Sequence, residues 1–303
     1  FMLSHFGWKA AIAVAINAAG ATLLLRRELL ALPPVAAPVD PAEDEVAIEN
    51  EYLRLVFTRV GARLKEAHVI LGEAGRDSIQ LVPEWGETPD TEAVYPLGLR
   101  FASDYLGEEL NRRRWEAQAA PGGDSVIFTL DLGSEVITKT FTLPEDPRVV
   151  TAQVSYQNKG EKTRVLGLDT KEPAFSLVWA PNVQSADQYR GVEQEVLWHK
   201  DGLNTHHVTS GLEPPAGGLL FTDRAQNPDF VAIKSAYFAV ALKPDFTPGD
   251  GWVLGTPDPL NFNVGVGAPR AEVPPGETLT RDFRLYIGPT QLADLRDAWP
   301  GLD

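Results

Sequence analysis

From about Val46 onward, apolar and polar positions alternate with a period of two. Leu53, Leu55 and Phe57 interleave with Tyr52, Arg54, Val56 and Thr58, and Val126, Phe128, Leu130 and Leu132 repeat the pattern. Ile137, Lys139, Phe141 and Leu143 oppose Val136, Thr138, Thr140 and Thr142. Successive side chains of a strand point to opposite faces, so each run predicts a half-buried strand. The threonines suit a pleated surface, where β-branched side chains pack well. Pro144-Glu145-Asp146-Pro147 predicts a turn, Arg148 to Tyr156 a strand, Asn158-Lys159-Gly160 a second turn and Thr163 to Asp169 a further strand. Strands joined this closely form an antiparallel meander. Gly218 to Thr222, Phe230 to Lys234, Tyr237 to Leu242 and Val264 to Gly267 read as short strands, and Pro274-Pro275-Gly276-Glu277 as a turn. Leu279, Phe283, Leu285 and Ile287 then line one face of a long strand in which Arg281 is the exception. Strands spaced by about ten residues with Gly and Pro between them predict a sandwich, here with sheets larger than those of an immunoglobulin unit.

Four stretches depart from this period. Pro83 to Tyr95 is polar and loop-like, and Pro181 to Asn204 is a long mixed stretch, either a binding loop or a surface insertion. Thr290 to Trp299 predicts a helix: Leu292, Leu295 and Trp299 stand at i, i+3 and i+7, Thr290 is the expected N-cap, and Pro300-Gly301 ends it. Its expected place is against the sheet edge. At the other end, the sixteen residues Ala10 to Leu25 carry no charge. A bilayer core needs roughly 20 helical residues, which Phe6 to Leu25 supplies if Lys9 reaches the headgroups. Arg26, Arg27 and Glu28 stand where a cleavable signal would place small residues, so an uncleaved anchor is expected, with a helix buried in protein as the alternative. Lys9 and the Arg26-Arg27 pair argue for opposite orientations.

Pro33 to Glu45, with four prolines and four acids, predicts a semi-extended linker whose cluster Asp40, Glu43, Asp44 and Glu45 is solvated charge. The organisation is therefore an N-terminal apolar helix over 1–32, a linker over 33–45 and a β domain over 46–303.

The 303 residues carry a formal net charge of −15, which disfavours nucleic acid as a partner. The only basic run, Arg112-Arg113-Arg114, is expected on a solvated strand or loop. There is no cysteine, and the five histidines form no metal-ligand pattern. Gly265-Val266-Gly267 lacks the third glycine and the following helix of a dinucleotide loop. No catalytic residue, cofactor site or metal site is assigned.

Four stretches carry a resemblance. Glu49 to Phe57 followed by Gly61-Ala62, Thr138 to Leu143 followed by Tyr156-Gln157-Asn158, Ser235 to Leu242, and Pro275-Gly276-Glu277 leading to Leu285-Tyr286-Ile287-Gly288-Pro289 resemble, in order and spacing, the large periplasmic domain of the bacterial membrane protein insertase YidC family. The resemblance spans residues 46 to 303. It implies a twisted antiparallel β-supersandwich of the galactose mutarotase type on the outer face of the bacterial inner membrane. It also implies a non-enzymatic interaction or chaperone-like role beside the Sec translocon and its accessory subunits, with nascent membrane proteins as clients and the lipid bilayer contacted through residues 8–25. The family's five-helix membrane core and its basic groove residue would follow Asp303, so no groove residue is carried over.

The candidate interaction residues are Tyr237, Phe238 and Trp252, on a concave aromatic face, together with Leu292, Leu295 and Trp299 on the terminal helix. The alternative for the strand aromatics is ordinary core. The rival function is a carbohydrate-binding or mutarotase-like enzyme on the same fold, which needs an acid and a base across a sugar ring. His206-His207, with Glu193, Glu195, Asp201 and His199 nearby in sequence, are its candidates, although adjacent residues on a strand face opposite ways.

Overall fold

The computed structural model describes residues 44–71, 77–82, 96–101, 110–144, 148–167, 173–180, 183, 195–208, 221–247, 250–255 and 262–303. The apolar N-terminal segment and most of the predicted linker lie outside them, as do Pro83 to Tyr95 and Gly218 to Leu220. No helix among the described residues is long and apolar enough to cross a membrane.

The chain first lays down β1 (Glu45–Glu49), β2 (Leu53–Thr58), β3 (Arg63–Leu71), β4 (Asp77–Gln80) and β5 (Gly98–Phe101). The middle of the chain gives β6 (Glu116–Ala119), β7 (Ser125–Asp131), β8 (Glu135–Thr142), β9 (Val149–Asn158), β10 (Arg164–Leu166) and β11 (Phe175–Trp179). There follow β12 (Glu195–Lys200), β13 (Leu203–Val208), β14 (Phe221–Gln226), β15 (Phe230–Lys234), β16 (Phe238–Pro244), β17 (Asp250–Gly255), β18 (Phe262–Ala268), β19 (Ala271–Val273), β20 (Thr278–Pro289) and the helix α1 (Leu292–Ala298). A nine-stranded sheet runs β13-β12-β15-β16-β20-β9-β8-β7-β6 and a five-stranded sheet β14-β17-β18-β11-β5. β1 to β4 form a third sheet in chain order, and β10 pairs with β19. Neighbouring strands are antiparallel, and β7, β8 and β9 follow one another as a meander; of the expected meander, which runs on from Arg148 to Tyr156 into Thr163 to Asp169, the pairing of the first two strands is present.

Period two splits the large sheet into two apolar faces. Phe238, Val240 and Leu242 of β16, Val231 and Ile233 of β15, and Phe283, Leu285 and Ile287 of β20 join the main core with residues of the four- and five-stranded sheets. The intervening Ala239, Ala241, Phe230, Ala232 and Tyr286 form a second core with Leu295, Trp299 and Leu302 from the C-terminus. In the main core Phe57 of β2 stacks on Phe141 of β8 at 4.6 Å and tilts against Phe128 of β7 at 5.7 Å, joining two sheets through aromatic contacts. Arg281, out of place by pattern, lays its guanidinium 5.5 Å from the Phe246 ring, which meets Phe283 edge-on at 5.2 Å.

Lys139, on the inward face of β8, is fully buried. Its Nζ donates to the carbonyls of Gly61 (2.9 Å), Ala62 (3.0 Å) and Leu97 (2.9 Å) and lies 5.2 Å from the Trp115 ring. All three carbonyl residues have left-handed backbones, at φ 75°, 48° and 65°. Glycine is required at 61, where a Cβ would sit 2.5 Å from the Asn111 carbonyl oxygen.

Several expectations are corrected. Among the described residues of Thr163 to Asp169, which end at Gly167, the strand is the three-residue β10, and it leaves the meander to pair with β19. The Pro181 to Asn204 stretch contains β12 and the start of β13, because Val196, Leu197 and His199 are buried between flanking strands despite their polar neighbours. Arg113 of the basic run is buried, and Arg114 pairs with Asp44 at 2.9 Å. The run threads beneath the β2–β3 turn, where Gly61 N–H donates to the Arg113 carbonyl and Trp115 N–H to that of Arg59. Asp44 and Glu45 of the acidic cluster are likewise paired, with Arg114 and Lys65, and β1 starts at Glu45.

Tyr156 and Tyr286 are buried on opposite faces of the large sheet. Burial pushes both phenols well above their ordinary range, with help from Glu135 at Tyr156 and from Asp294 at Tyr286, where Arg148 pulls the other way. In the unfolded chain they ionise near pH ~10. Above that the native state holds the extra protons, so stability falls as pH rises. Melting temperatures from pH 8 to 11 are expected to fall beyond about pH 10, less steeply in a Tyr156→Phe/Tyr286→Phe variant. Equal slopes would contradict this origin.

Candidate functional site

The β15–β16 turn and the C-terminal helix meet at one corner of the large sheet. Thr290, expected to cap the helix, instead ties the corner together. Its N–H donates to the Tyr237 carbonyl (2.8 Å) and its hydroxyl to that of Ala236 (3.0 Å). Gln291 occupies the N-cap position without a side-chain cap bond, and α1 starts at Leu292. Ser235 closes the turn through its hydroxyl, which donates to the Phe238 carbonyl and accepts from the Phe238 N–H.

The candidate residues separate by environment. Tyr237 lies in the turn rather than at the start of the strand and is 57% exposed, while Phe238 points into the main core. Trp252 sits on β17 of the five-stranded sheet, opposite Arg224 and Gly265, and its side chain lies outside the described residues. The predicted helical stripe also divides. Leu295 and Trp299 are buried in the second core, but Leu292 is 58% exposed because a seven-residue helix seats only its C-terminal turn on the sheet.

Trp299 anchors this docking. Its ring meets Phe230 and Tyr286, and the Lys243 ammonium lies 5.6 Å from its centroid. Arg148 reaches Asp294 of α1 at 3.6 Å. His199 stacks flat on Phe230 at 4.8 Å, and its Nδ1 is 3.0 Å from Asp229 Oδ2. Gly301 (φ 87°) lies across the other side of the ring, so close that a Cβ there would be 2.9 Å from Nε2.

His199 and Asp229 also line an open cleft of about 760 Å³ with Lys243, Asp245, Phe246 and Pro300. An imidazole and a carboxylate therefore do share a cleft, but they engage each other instead of facing across a ring-sized gap. Sequence reasoning named His199 with Glu193, Glu195 and Asp201, and missed Asp229. Thirty residues separate the pair, and only the β12–β15 register, His199 opposite Phe230, brings them together. His206 and His207 occupy successive positions of β13 opposite Leu197 and Val196. Glu195 lies at the far end of β12, Asp201 in the tight turn after it, and Glu193 outside the described residues. Among the described residues no cluster of three or more His, Asp or Glu could hold a metal ion.

In comparisons with solved structures, the fold is similar to a galactose mutarotase related enzyme from Lactobacillus acidophilus (TM-score 0.55, 12% identity, covering 82% of this chain and 98% of that one). It is also similar to a putative aldose 1-epimerase from Escherichia coli (TM-score 0.52, 14% identity, 80% and 98%). At such identities the likeness is one of fold alone, and it bears out the expected mutarotase-type sandwich.

Among curated sequences, the membrane protein insertase YidC of Cupriavidus pinatubonensis is 30% identical over 277 residues, 88% of this chain and 47% of the relative. That of Cupriavidus necator is 35% identical over 211 residues, 66% and 36%. The chain thus spans less than half the length of these relatives. A family model described as a putative Na+/H+ antiporter matches residues 1–62, a span too short to assign the chain. The model described as the YidC periplasmic domain matches residues 45–303, from the first residue of β1 through α1, and the chain belongs to that family.

Proposed function

We propose that the β body is the extracytoplasmic interaction domain of a membrane protein insertase, held at the bacterial inner membrane by the apolar segment near its N-terminus and acting with the Sec translocon on nascent membrane proteins. The observation that carries this reading is the match of the whole body, residues 45–303, to the YidC periplasmic domain. The role is one of contact rather than catalysis. In the cleft the His199 ring is stacked on Phe230 and bonded to Asp229 itself, instead of standing across a ring-sized gap from it as a mutarotase-type acid and base would. The exposed Tyr237 and Leu292, beside the Thr290 bonds, offer apolar contact surface next to the end of β20.

Two measurements test the proposal. Membranes from cells expressing the full chain, extracted with alkaline carbonate, are expected to retain it, whereas a version starting at Val46 is released. Affinity capture from the same membranes is expected to recover translocon subunits with the full chain and to lose them when residues 46–303 are deleted. Release of the full chain removes the anchor. Equal recovery after the deletion removes the interaction role of the β body.

A further inference from the structure

Beyond Thr290 the chain is attached to the β body by side chains. The backbone bonds given by residues 291–303 are internal to the segment: Leu295 N–H donates to the Gln291 carbonyl (3.0 Å), Trp299 N–H to that of Leu295 (3.5 Å) and Leu302 N–H to that of Trp299 (3.4 Å). The Arg296–Asp303 pair at 2.7 Å is internal as well. Among the described residues the one ion pair that crosses to the body joins Arg148 to Asp294, and at 3.6 Å it is too long for a hydrogen bond. The seat therefore rests on Leu295, Trp299 and Leu302.

Closure of this seat also carries costs. Among the described residues neither Trp299 Nε1 nor Arg148 Nη1, both buried, has a hydrogen-bond acceptor. Arg148 holds a left-handed backbone at φ 81°, a strained conformation for arginine. It is pinned there by the Ile287 N–H on its carbonyl (3.1 Å) and by Gly288, where a Cβ would lie 2.9 Å from Arg148 Cδ. Its guanidinium lies 5.3 Å from the Tyr52 ring, in the β1–β2 turn, so one side chain touches that turn, β20 and α1. A seven-residue helix without a side-chain cap bond adds little stability of its own.

We propose that residues 291–303 are a latch, hinged at Thr290, that opens as a unit while the sheet stays intact, with Arg148 as its release element. Opening returns both buried donors to water and uncovers the apolar strip of Phe230, Ala232, Ala239, Ala241 and Tyr286. The two bonds from Thr290 to the β15–β16 turn stay made and set the pivot. β20 does not follow, because it is bonded to β16 on one side and β9 on the other. The latch stands whether or not the chain works with a translocon, and it exposes apolar surface only in a minor population.

The test uses the full chain. Native-state hydrogen exchange, read by mass spectrometry, is expected to show 291–303 opening at least about 100-fold more often than 278–289. Asp294→Asn leaves the guanidinium without its counter-charge and should raise that opening about fivefold, with β20 unchanged. Adding Arg148→Met, which keeps the stem and removes the charge and the unpartnered donor, should bring opening back to the original level or below it. Uncovering is read by alkylation, since the chain has no cysteine of its own. Ala241→Cys, on the face beneath α1, should react at least about tenfold faster than Val240→Cys, equally buried on the opposite face. Circular dichroism checks folding, and where a variant does not fold, the exchange comparison on the unmodified chain decides. Opening of 291–303 only together with β20, or equal alkylation of the two cysteines, overturns the latch. More opening in the double variant than in Asp294→Asn overturns the role of Arg148.

Discussion

Replacing Lys139 by methionine is expected to destabilise the domain by about 3 kcal/mol, although methionine fills nearly the same space. The change strands the carbonyls of Gly61, Ala62 and Leu97, each an acceptor of the ammonium at 2.9 to 3.0 Å. A buried acceptor without a donor costs about 1–3 kcal/mol, and the sum is partly offset because the ammonium is no longer held out of water. Urea unfolding measures the difference, and a loss below about 1 kcal/mol would show that the carbonyls find other donors. The pH dependence gives a second reading. Burial, with Arg63 nearby, sets the native Lys139 well below its ordinary value, so in the window between that lowered value and about 10.5 the unfolded chain binds the extra proton. Stability therefore gains from a rise in pH through that window. The Lys139→Met variant is expected to lack this gain.

The second large effect concerns the helix. Trp299→Ala removes a side chain that is 2% exposed and packed on Phe230, Tyr286 and the Lys243 ammonium. Deleting a buried aromatic of this size costs about 3–5 kcal/mol where the surroundings cannot collapse. Seven helical residues cannot hold themselves together without their tertiary seat. Hydrogen exchange is expected to show α1 opening on its own, with β9 and β20 still protected, so global unfolding registers only part of the loss. Leu292→Ser, on the exposed side of the same helix, is expected to change stability by less than about 0.5 kcal/mol. Equal effects at the two positions would mean that α1 is not seated as described.

What could be read before the fold was known follows from physical range. Strand positions depend on neighbours two residues apart, so the inward sets of β2, β7, β8 and β20 were visible, including Lys139 among apolar residues. Its partners were not, because they lie 42 to 78 residues away in loops whose left-handed carbonyls no local pattern announces. The second core escaped notice for a related reason. Ala239, Ala241 and Ala232 look like ordinary small residues until α1 covers them. Leu292 shows the opposite failure, since helical spacing identifies a stripe but cannot say how much of it a short helix seats. The family resemblance found the right neighbourhood because it drew on the order of four turn-and-strand signals. The His199–Asp229 pair depends on strand register, which nothing local encodes.

The place of β20 in the largest sheet governs how the domain comes into being. This strand, the last of the described strands, lies between β16 and β9 and is hydrogen-bonded to both. Until residues 278–289 take their place, the sheet can exist only as two separate halves, each with a bare edge open to other chains. Completion of the sheet therefore waits on this one strand, which serves as its keystone. A chain interrupted before Thr278 would leave two adhesive fragments in place of a slightly shortened domain.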